Sequence, residues 1–415
     1  MRHLMLLASC FVLGSAVQAA ELRTAKPEQA GMSYERLERL SASMQGYIDR
    51  GEAAGAVTLI ARRGQIVHFE TQGLMDIDSK TPSRKDAIFR LASMTKPITS
   101  VAVMMLFEEG RLHLTDPVSK YIPEFKNPMV RVINPPGSNR EGTTLVPASR
   151  EITIRDLLTH TAGLPTGTSV AVAPEYSDYQ QQRQPGETIG DMVKRLARLP
   201  LYFHPGTAWE YGPATDVLGY LVEVVSGKAF DQFLSERIFR PLKMNDTFFY
   251  VPDGKLDRLA TAYRPTDGGG IRAISKPEEA RGSKVYFSGA GGLFSTAEDY
   301  SRFSQMLLGG GIYDGARLLG RKTIELMTAN HIGDLPLWPD LAGYRFGLGF
   351  RVLADVGESA FPGSVGSYGW GGAYGTYLWI DPKEDMFGLL MIQVRPYPML
   401  MRLDSMSMAL QAIVD

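Results

Sequence analysis

A single cysteine, Cys10, stands in 415 residues. With no second cysteine there is no intrachain disulfide and no thiolate metal site. Stability must then rest on a large core, and 44% hydrophobic residues are enough to build one. Histidine is sparse too. The six are scattered, with no His-x-x-x-His and no His-Glu-x-x-His, so zinc hydrolysis lacks its ligands. No Walker loop and no Gly-x-Gly-x-x-Gly occurs, which removes the common nucleotide fingerprints. No Gly-x-Ser-x-Gly elbow occurs, which argues against one common serine nucleophile. Neither sign of charge is in excess: 44 basic residues stand against 45 acidic ones. Such a chain has no general attraction to nucleic acid or anionic lipid, and its target is expected to be a small molecule.

No apolar run is long enough to span a bilayer. Leu4 to Val17 is mostly apolar, follows the polar start Arg2-His3, and ends near Val17-Gln18-Ala19. This reads as a removable export signal over residues 1–19, which would place the mature chain in the periplasm or outside the cell. After its removal no stable membrane insertion is expected. Leu7-Ala8-Ser9-Cys10 is like a lipobox, but the apolar run continues past Cys10, so lipid anchoring there is not expected.

Ser33 to Arg50 reads as an amphipathic helix with Leu37, Leu40, Met44 and Ile48 on one stripe and Gly51 as its stop. Ala56 to Arg62 and Gln65 to Thr71 are strand-like runs joined by Arg63-Gly64. Residues 127–150 and 264–282 read as loops. From Ile152 to about Met244 the pattern is helical with Pro and Gly breaks, and Gly292 to Leu308 is helical again. Arg345 to Leu353, Gly375 to Ile380 and Met386 to Gln393 read as strands, and residues 400–414 as a closing helix. Strands thus sit at both ends and helices in the middle. The economical fold is α+β: one antiparallel sheet built from both chain ends, flanked by the first and last helices, with a mainly helical region inserted. The sheet region is expected at about 20–90 and 283–415, the helical region at about 91–282. A ligand would bind where they meet.

Three segments carry chemistry. Ser93-Met94-Thr95-Lys96 is the sole Ser-x-x-Lys in the chain. Positions i and i+3 share a helix face, so a helix starting at Ser93 stands the lysine amine beside the serine hydroxyl. A serine needs an adjacent base to become a nucleophile, and a desolvated lysine can be that base. Ile98, Val101, Val103, Met104, Met105, Leu106 and Phe107 are apolar almost all round, which suits an enclosed helix. Roughly one or two chance matches to so short a pattern are expected, so the motif alone is weak. The second segment, Trp209-Glu210-Tyr211-Gly212-Pro213, precedes another apolar helix. A tyrosine there can face a cleft and move a proton; it can equally be half-buried with its hydroxyl bonded to backbone. The third segment, Gly366 to Thr376, holds five glycines within residues 366–375. So many glycines in a strand region imply a close approach by backbone or ligand, either a strand edge aiming an N–H at an oxyanion or a tightly packed inner strand. His160, between Thr159 and Thr161, sits where a helix gives way to a turn and reads as a helix cap rather than a catalyst.

Together these segments resemble the serine β-lactamase and penicillin-binding superfamily, in its class C β-lactamase-like branch and closest to the family VIII carboxylesterases. The likeness rests on Ser93 to Lys96, Leu157 to Leu164, Tyr211, Ser288 to Ala297 and Trp370-Gly371-Gly372, in the family's order. It implies acyl transfer without cofactor or metal. Ser93 would be the nucleophile and Lys96 with Tyr211 the base system, while the N–H groups of Ser93 and Ala373 would form the oxyanion hole. The implied partner is a small-molecule ester, and oligomeric state is left open. Trp209, Tyr368, Trp370, Gly371, Gly372 and Tyr374 are the candidate substrate contacts. Two departures bear on substrate. The family's Tyr-x-Asn reads Tyr211-Gly212-Pro213, which loses a side-chain amide, and its Lys-Thr-Gly reads Trp370-Gly371-Gly372, which loses an ammonium. Both point away from charged β-lactams and towards neutral, short-chain acyl esters. The remaining alternatives are a β-lactamase, a D-amino-acid peptidase or acyltransferase, and a non-catalytic binder.

Overall fold

The computed structural model describes residues 22–134, 142–165, 184–275 and 277–415. The candidate export signal with Cys10, and residues 166–183 of the expected helical stretch, lie outside them. Helix α1, Tyr34–Asp49, starts where Ser33 Oγ accepts from the Arg36 N–H. It buries Leu37, Leu40, Met44 and, in place of the expected Ile48, Tyr47. Strands β1 (Gly55–Arg62) and β2 (Gln65–Asp76) pair antiparallel across the Arg63-Gly64 turn. Helices α2 (Thr95–Glu108), α3 (Ile154–Leu158), α4 (Ile189–Leu196), α5 (Ala214–Ser226) and α6 (Ala297–Leu308) follow. The chain then returns as β3 (Tyr344–Phe346), β4 (Arg351–Leu353), β5 (Tyr368–Gly371), β6 (Tyr377–Asp381) and β7 (Met386–Met391), closed by α7, Met399–Gln411.

The two ends of the chain meet inside one sheet. Strand β7 pairs β1 antiparallel from Met386↔Arg62 to Met391↔Val57, so the order runs β2-β1-β7-β6-β5-β4-β3. The α+β class read from the sequence is the observed one, with two additions: the short strand Arg23–Thr24 joins the β2 edge in parallel, and Thr81–Pro82 pairs antiparallel with the end of β2. Side chains alternate across the sheet with period two. Ala56, Ile60, Tyr377, Trp379 and Leu390 face α1 and α7. Val57, Leu59, Ala61, Leu378 and Leu389 face the main core with α2 and α6. Helix α2 is buried on every side from Thr95 to Leu106, as its all-round apolar pattern requires.

Four stretches depart from the sequence reading. Arg345 to Leu353, read as one strand, is two, β3 and β4, paired antiparallel with the Gly347 N–H donating to Phe350 O. Within 127–150, Met129–Ile133 and Thr143–Pro147 pair as a hairpin, because both runs are rich in β-branched residues that outweigh the Pro and Gly between them. Within 264–282, Tyr263–Pro265 pairs with Ile271–Ala273 around Thr266 to Gly270. Helix α6 begins only at Ala297, capped by Thr296, because Phe294–Ser295 are drawn into a short ladder with Phe89–Arg90. Among the described residues, no helix is long and apolar enough to cross a membrane.

Candidate active site

Ser93 does not sit in α2 but one turn ahead of it. Residues Ala92–Met94 form a single tight turn, and α2 begins at Thr95. Ala92 has φ +44°, a left-handed conformation that a non-glycine residue adopts at a cost and that surrounding bonds must hold. Those bonds are present. The Leu91 N–H donates to Leu293 O at 2.9 Å, Thr376 Oγ1 donates to Leu91 O at 3.0 Å, and the Tyr300 hydroxyl donates to Met94 O at 2.7 Å. Ser93 is therefore pinned between α6 and the β5–β6 turn and stays partly exposed.

Lys96, one turn on, is 5% exposed. Its Nζ donates to Ser93 Oγ at 3.2 Å and to the Ala290 carbonyl at 2.8 Å. It lies 4.5 Å from the ring centre of Tyr211. The Ala290 carbonyl is itself positioned. Asp216, in the first turn of α5, accepts from Ser288 Oγ at 2.7 Å and from the Ala290 N–H at 2.9 Å, and Thr99 Oγ1 donates to Gly289 O at 2.8 Å. Gly289 is required there, since a Cβ would lie 2.5 Å from Thr215 O.

Tyr211 presents its ring face to Lys96, and its hydroxyl accepts from Trp370 Nε1 at 3.3 Å. No hydrogen bond joins that hydroxyl to Ser93 or Lys96. Around it stands an aromatic wall. The Trp338 and Trp370 rings are each 5.2 Å from Tyr211, and His160 is 4.9 Å away. His160 has φ +58° and is buried, and its Nδ1 has no partner. Its backbone caps α3 as expected, with the His160 N–H donating to Leu157 O and the Thr161 N–H to Asp156 O, while its side chain faces this wall. Burial, and then the Lys96 charge, push its pKa down to about 3, so the ring is neutral.

A cavity of about 540 Å³ opens over Ser93. Of the sequence-predicted contacts, Tyr211, Trp370, Gly371, Gly372 and Ala373 line it. Trp209 stands one layer back, 6.4 Å from the Tyr211 ring. Tyr368 and Tyr374 are away from it. Tyr368 is buried in the main core against Phe350, and the Tyr374 carbonyl accepts from the Val394 N–H. Glycine strands alternate like any other, and the reading by proximity took in these neighbours that lie off the cavity. The Gly372–Gly375 turn uses the N–H groups of Gly372 and Gly375 for its own bonds, to Thr376 O and Gly372 O, and not that of Ala373. Arg402 of α7 braces the turn by donating to the carbonyls of Gly372, Gly375 and Thr376. Neither Arg402 nor Arg351, which also lines the cavity, was legible as a site neighbour: each is an isolated arginine in an ordinary helix or strand pattern.

A family model described as Beta-lactamase matches residues 40–413. The chain belongs to the β-lactamase family. Protein Rv1367c of Mycobacterium tuberculosis is 38% identical over 370 residues, covering 86% of this chain and 89% of that one. Esterase EstB of Burkholderia gladioli is 30% identical over 376 residues, covering 85% and 89%. Among solved structures, EstCE1, described as a hydrolase with promiscuous acyltransferase activity, superposes with a TM-score of 0.75 at 27% identity, covering 90% of this chain and 98% of that one. This member of the β-lactamase family is a serine hydrolase. Among its described residues no cluster of His, Cys, Asp or Glu could hold a metal ion.

Proposed function

We propose that the protein hydrolyses carboxylic esters through an acyl-enzyme on Ser93, with short, neutral acyl groups favoured. The observation that carries this reading is the Lys96 amine, held 3.2 Å from Ser93 Oγ beneath an aromatic wall that contains Trp370. In the proposed cycle Lys96, with Tyr211 beside it, takes the Ser93 proton as Oγ adds to the ester carbonyl. The N–H groups of Ser93 and Ala373 receive the oxyanion. The proton passes to the departing alkoxide, and the alcohol leaves. Water then repeats the addition and releases the acid. Trp370 offers the acyl group an apolar face with no cation, and Pro213 offers no amide. Both favour neutral esters over β-lactams. The names of EstB and EstCE1 support the esterase class.

Fluorophosphonate labelling followed by peptide mapping tests the nucleophile. Modification at Ser93, lost in Ser93→Ala, is expected; labelling elsewhere overturns the assignment. A chain-length series of p-nitrophenyl esters tests the acyl preference, and a chromogenic cephalosporin hydrolysed faster than every ester would make the protein a β-lactamase instead.

A further inference from the structure

Arg351, in β4, lines the same cavity as Ser93 and has no carboxylate partner. Of the other arginines packed into this fold, Arg62 pairs with Glu384 and Asp415 and Arg258 with Asp246 and Asp86, while Arg90 donates to the Ala260 carbonyl. Arg402 donates to three carbonyls. Arg351 donates only to the Tyr377 hydroxyl, and its guanidinium lies 4.7 Å from the Tyr344 ring centre and 5.1 Å from that of Tyr377. Among the described residues nothing accepts from its Nε or Nη1. Two carboxylates, Asp340 and Glu358, line the cavity wall, but both are exposed and neither is within ion-pair distance of Arg351. Burial alone would lower the Arg351 pKa. The guanidinium nevertheless stays protonated, as arginine does in proteins.

A cation kept in a partly desolvated site without a counter-charge is costly. A guanidinium with a free pair of donors is the group best shaped to take a carboxylate from a ligand. One continuous cavity of about 540 Å³ reaches from Ser93 and Trp370 to Arg351, Tyr397 and Arg402, so a single substrate can touch both ends. We propose that Arg351 is a carboxylate receptor, and that the ester turned over at Ser93 carries a carboxylate at the end remote from the scissile bond. This rests on the esterase reading above. It amends the neutral-substrate part of that reading: the segment against Trp370 stays apolar, and the substrate's charge lies at the far end of the cavity. The carboxylate lies on the acyl or on the alcohol portion, and the test separates the two.

Three substrates are compared: neutral p-nitrophenyl butyrate, mono-p-nitrophenyl adipate with its carboxylate on the acyl side, and 4-acetoxybenzoate with its carboxylate on the alcohol side. In Arg351→Met the ratio of kcat/KM for one anionic ester over the neutral ester is expected to fall about ten- to hundredfold. Arg351→Lys is expected to restore part of that ratio, and the ester affected names the side. Ratios unchanged within about threefold in Arg351→Met overturn the proposal. A melting curve establishes that each variant is folded, and Arg351→Lys carries the test if the methionine variant is not. Should no ester be turned over and Ser93 resist the fluorophosphonate, the esterase reading fails separately. Calorimetry with adipate and benzoate then decides the receptor: binding to wild type that disappears in the Arg351 variant supports it, and equal or absent binding in both overturns it.

Discussion

Lys96 has a carbonyl, a serine hydroxyl and an aromatic face for neighbours, and no carboxylate pairs with it among the described residues. Tyr211 can support it in two separable ways, through the ring and through the hydroxyl. Tyr211→Phe keeps the ring over Lys96 and removes only the hydroxyl that Trp370 now contacts. If the hydroxyl relays the proton, kcat should fall about 10²–10⁴-fold with KM little changed. Near-normal kcat with a lower melting temperature would assign Tyr211 to packing. Trp370→Lys tests the neutral wall. It is expected to raise affinity for anionic β-lactams and to lower kcat/KM for neutral short-chain esters, because an unpaired ammonium is costly in a partly desolvated pocket. Steady-state kinetics on both substrate classes decide it, and unchanged values for both would remove Trp370 from substrate contact. Ser93 and Lys96 were legible as neighbours because they are three residues apart; Tyr211, 115 residues beyond Lys96, was placed beside them only by the family resemblance. Arg351 and His160 were not legible, because their place depends on partners distant in the chain: Tyr377 for one, Trp209 and Phe346 for the other.

The elements matter here chiefly through the turn between β5 and β6. Gly372 packs so closely that a Cβ would stand 2.1 Å from Leu91 O and 2.2 Å from Thr376 Oγ1. Leu91 belongs to the segment that sets Ser93, so this contact holds the turn that carries Ala373 against that segment, and the oxyanion hole proposed above depends on it. Gly372→Ala should push the two apart. Loss of one oxyanion donor typically costs about 2.7–4 kcal/mol, so kcat should fall roughly 10²–10³-fold. Fluorophosphonate labelling, which reads the nucleophile, should slow alongside it. Full activity in the alanine variant would show that the turn is free to move without consequence. Of the strands here, β6 and β7 followed from alternation, as β1 and β2 did, whereas β5 lay in the glycine-rich segment that alternation does not delimit. The hairpin Met129–Ile133 with Thr143–Pro147 was hidden because its turn residues dominate the composition of the segment, while its pairing depends on register across the gap.

At the scale of the whole molecule, two histidines are buried neutral. His160 titrates at about 3, lowered by burial and then by Lys96; His68, whose Nε2 is 2.7 Å from Thr58 Oγ1, titrates at about 4, lowered by burial and then by Lys85. The unfolded chain binds these protons near pH 6.5, so each histidine favours the folded state fully above that value. Each loses that contribution as pH falls towards its folded pKa. The slope is roughly 1.4 kcal/mol per pH unit for each group. Asp299 opposes them. Burial raises its carboxyl to about 6, so the folded state takes that proton first and gains stability between about pH 6 and 4. His331, lowered by burial, adds to the loss, and Glu223 and Asp385, raised by burial, oppose it; His160 and His68 are shifted furthest, which leaves a net loss on acidification. The melting temperature should therefore fall from pH 6.5 to 4, and His68→Gln, whose amide can keep the bond to Thr58, should make that fall shallower. A melting temperature that rises on acidification, or a slope the variant leaves untouched, would contradict the assignment. The same neutrality predicts that His160 adds no inflection near pH 6.5 to the activity profile. A clear loss of kcat/KM there that disappears in His160→Gln would mean that the ring is charged in the free enzyme.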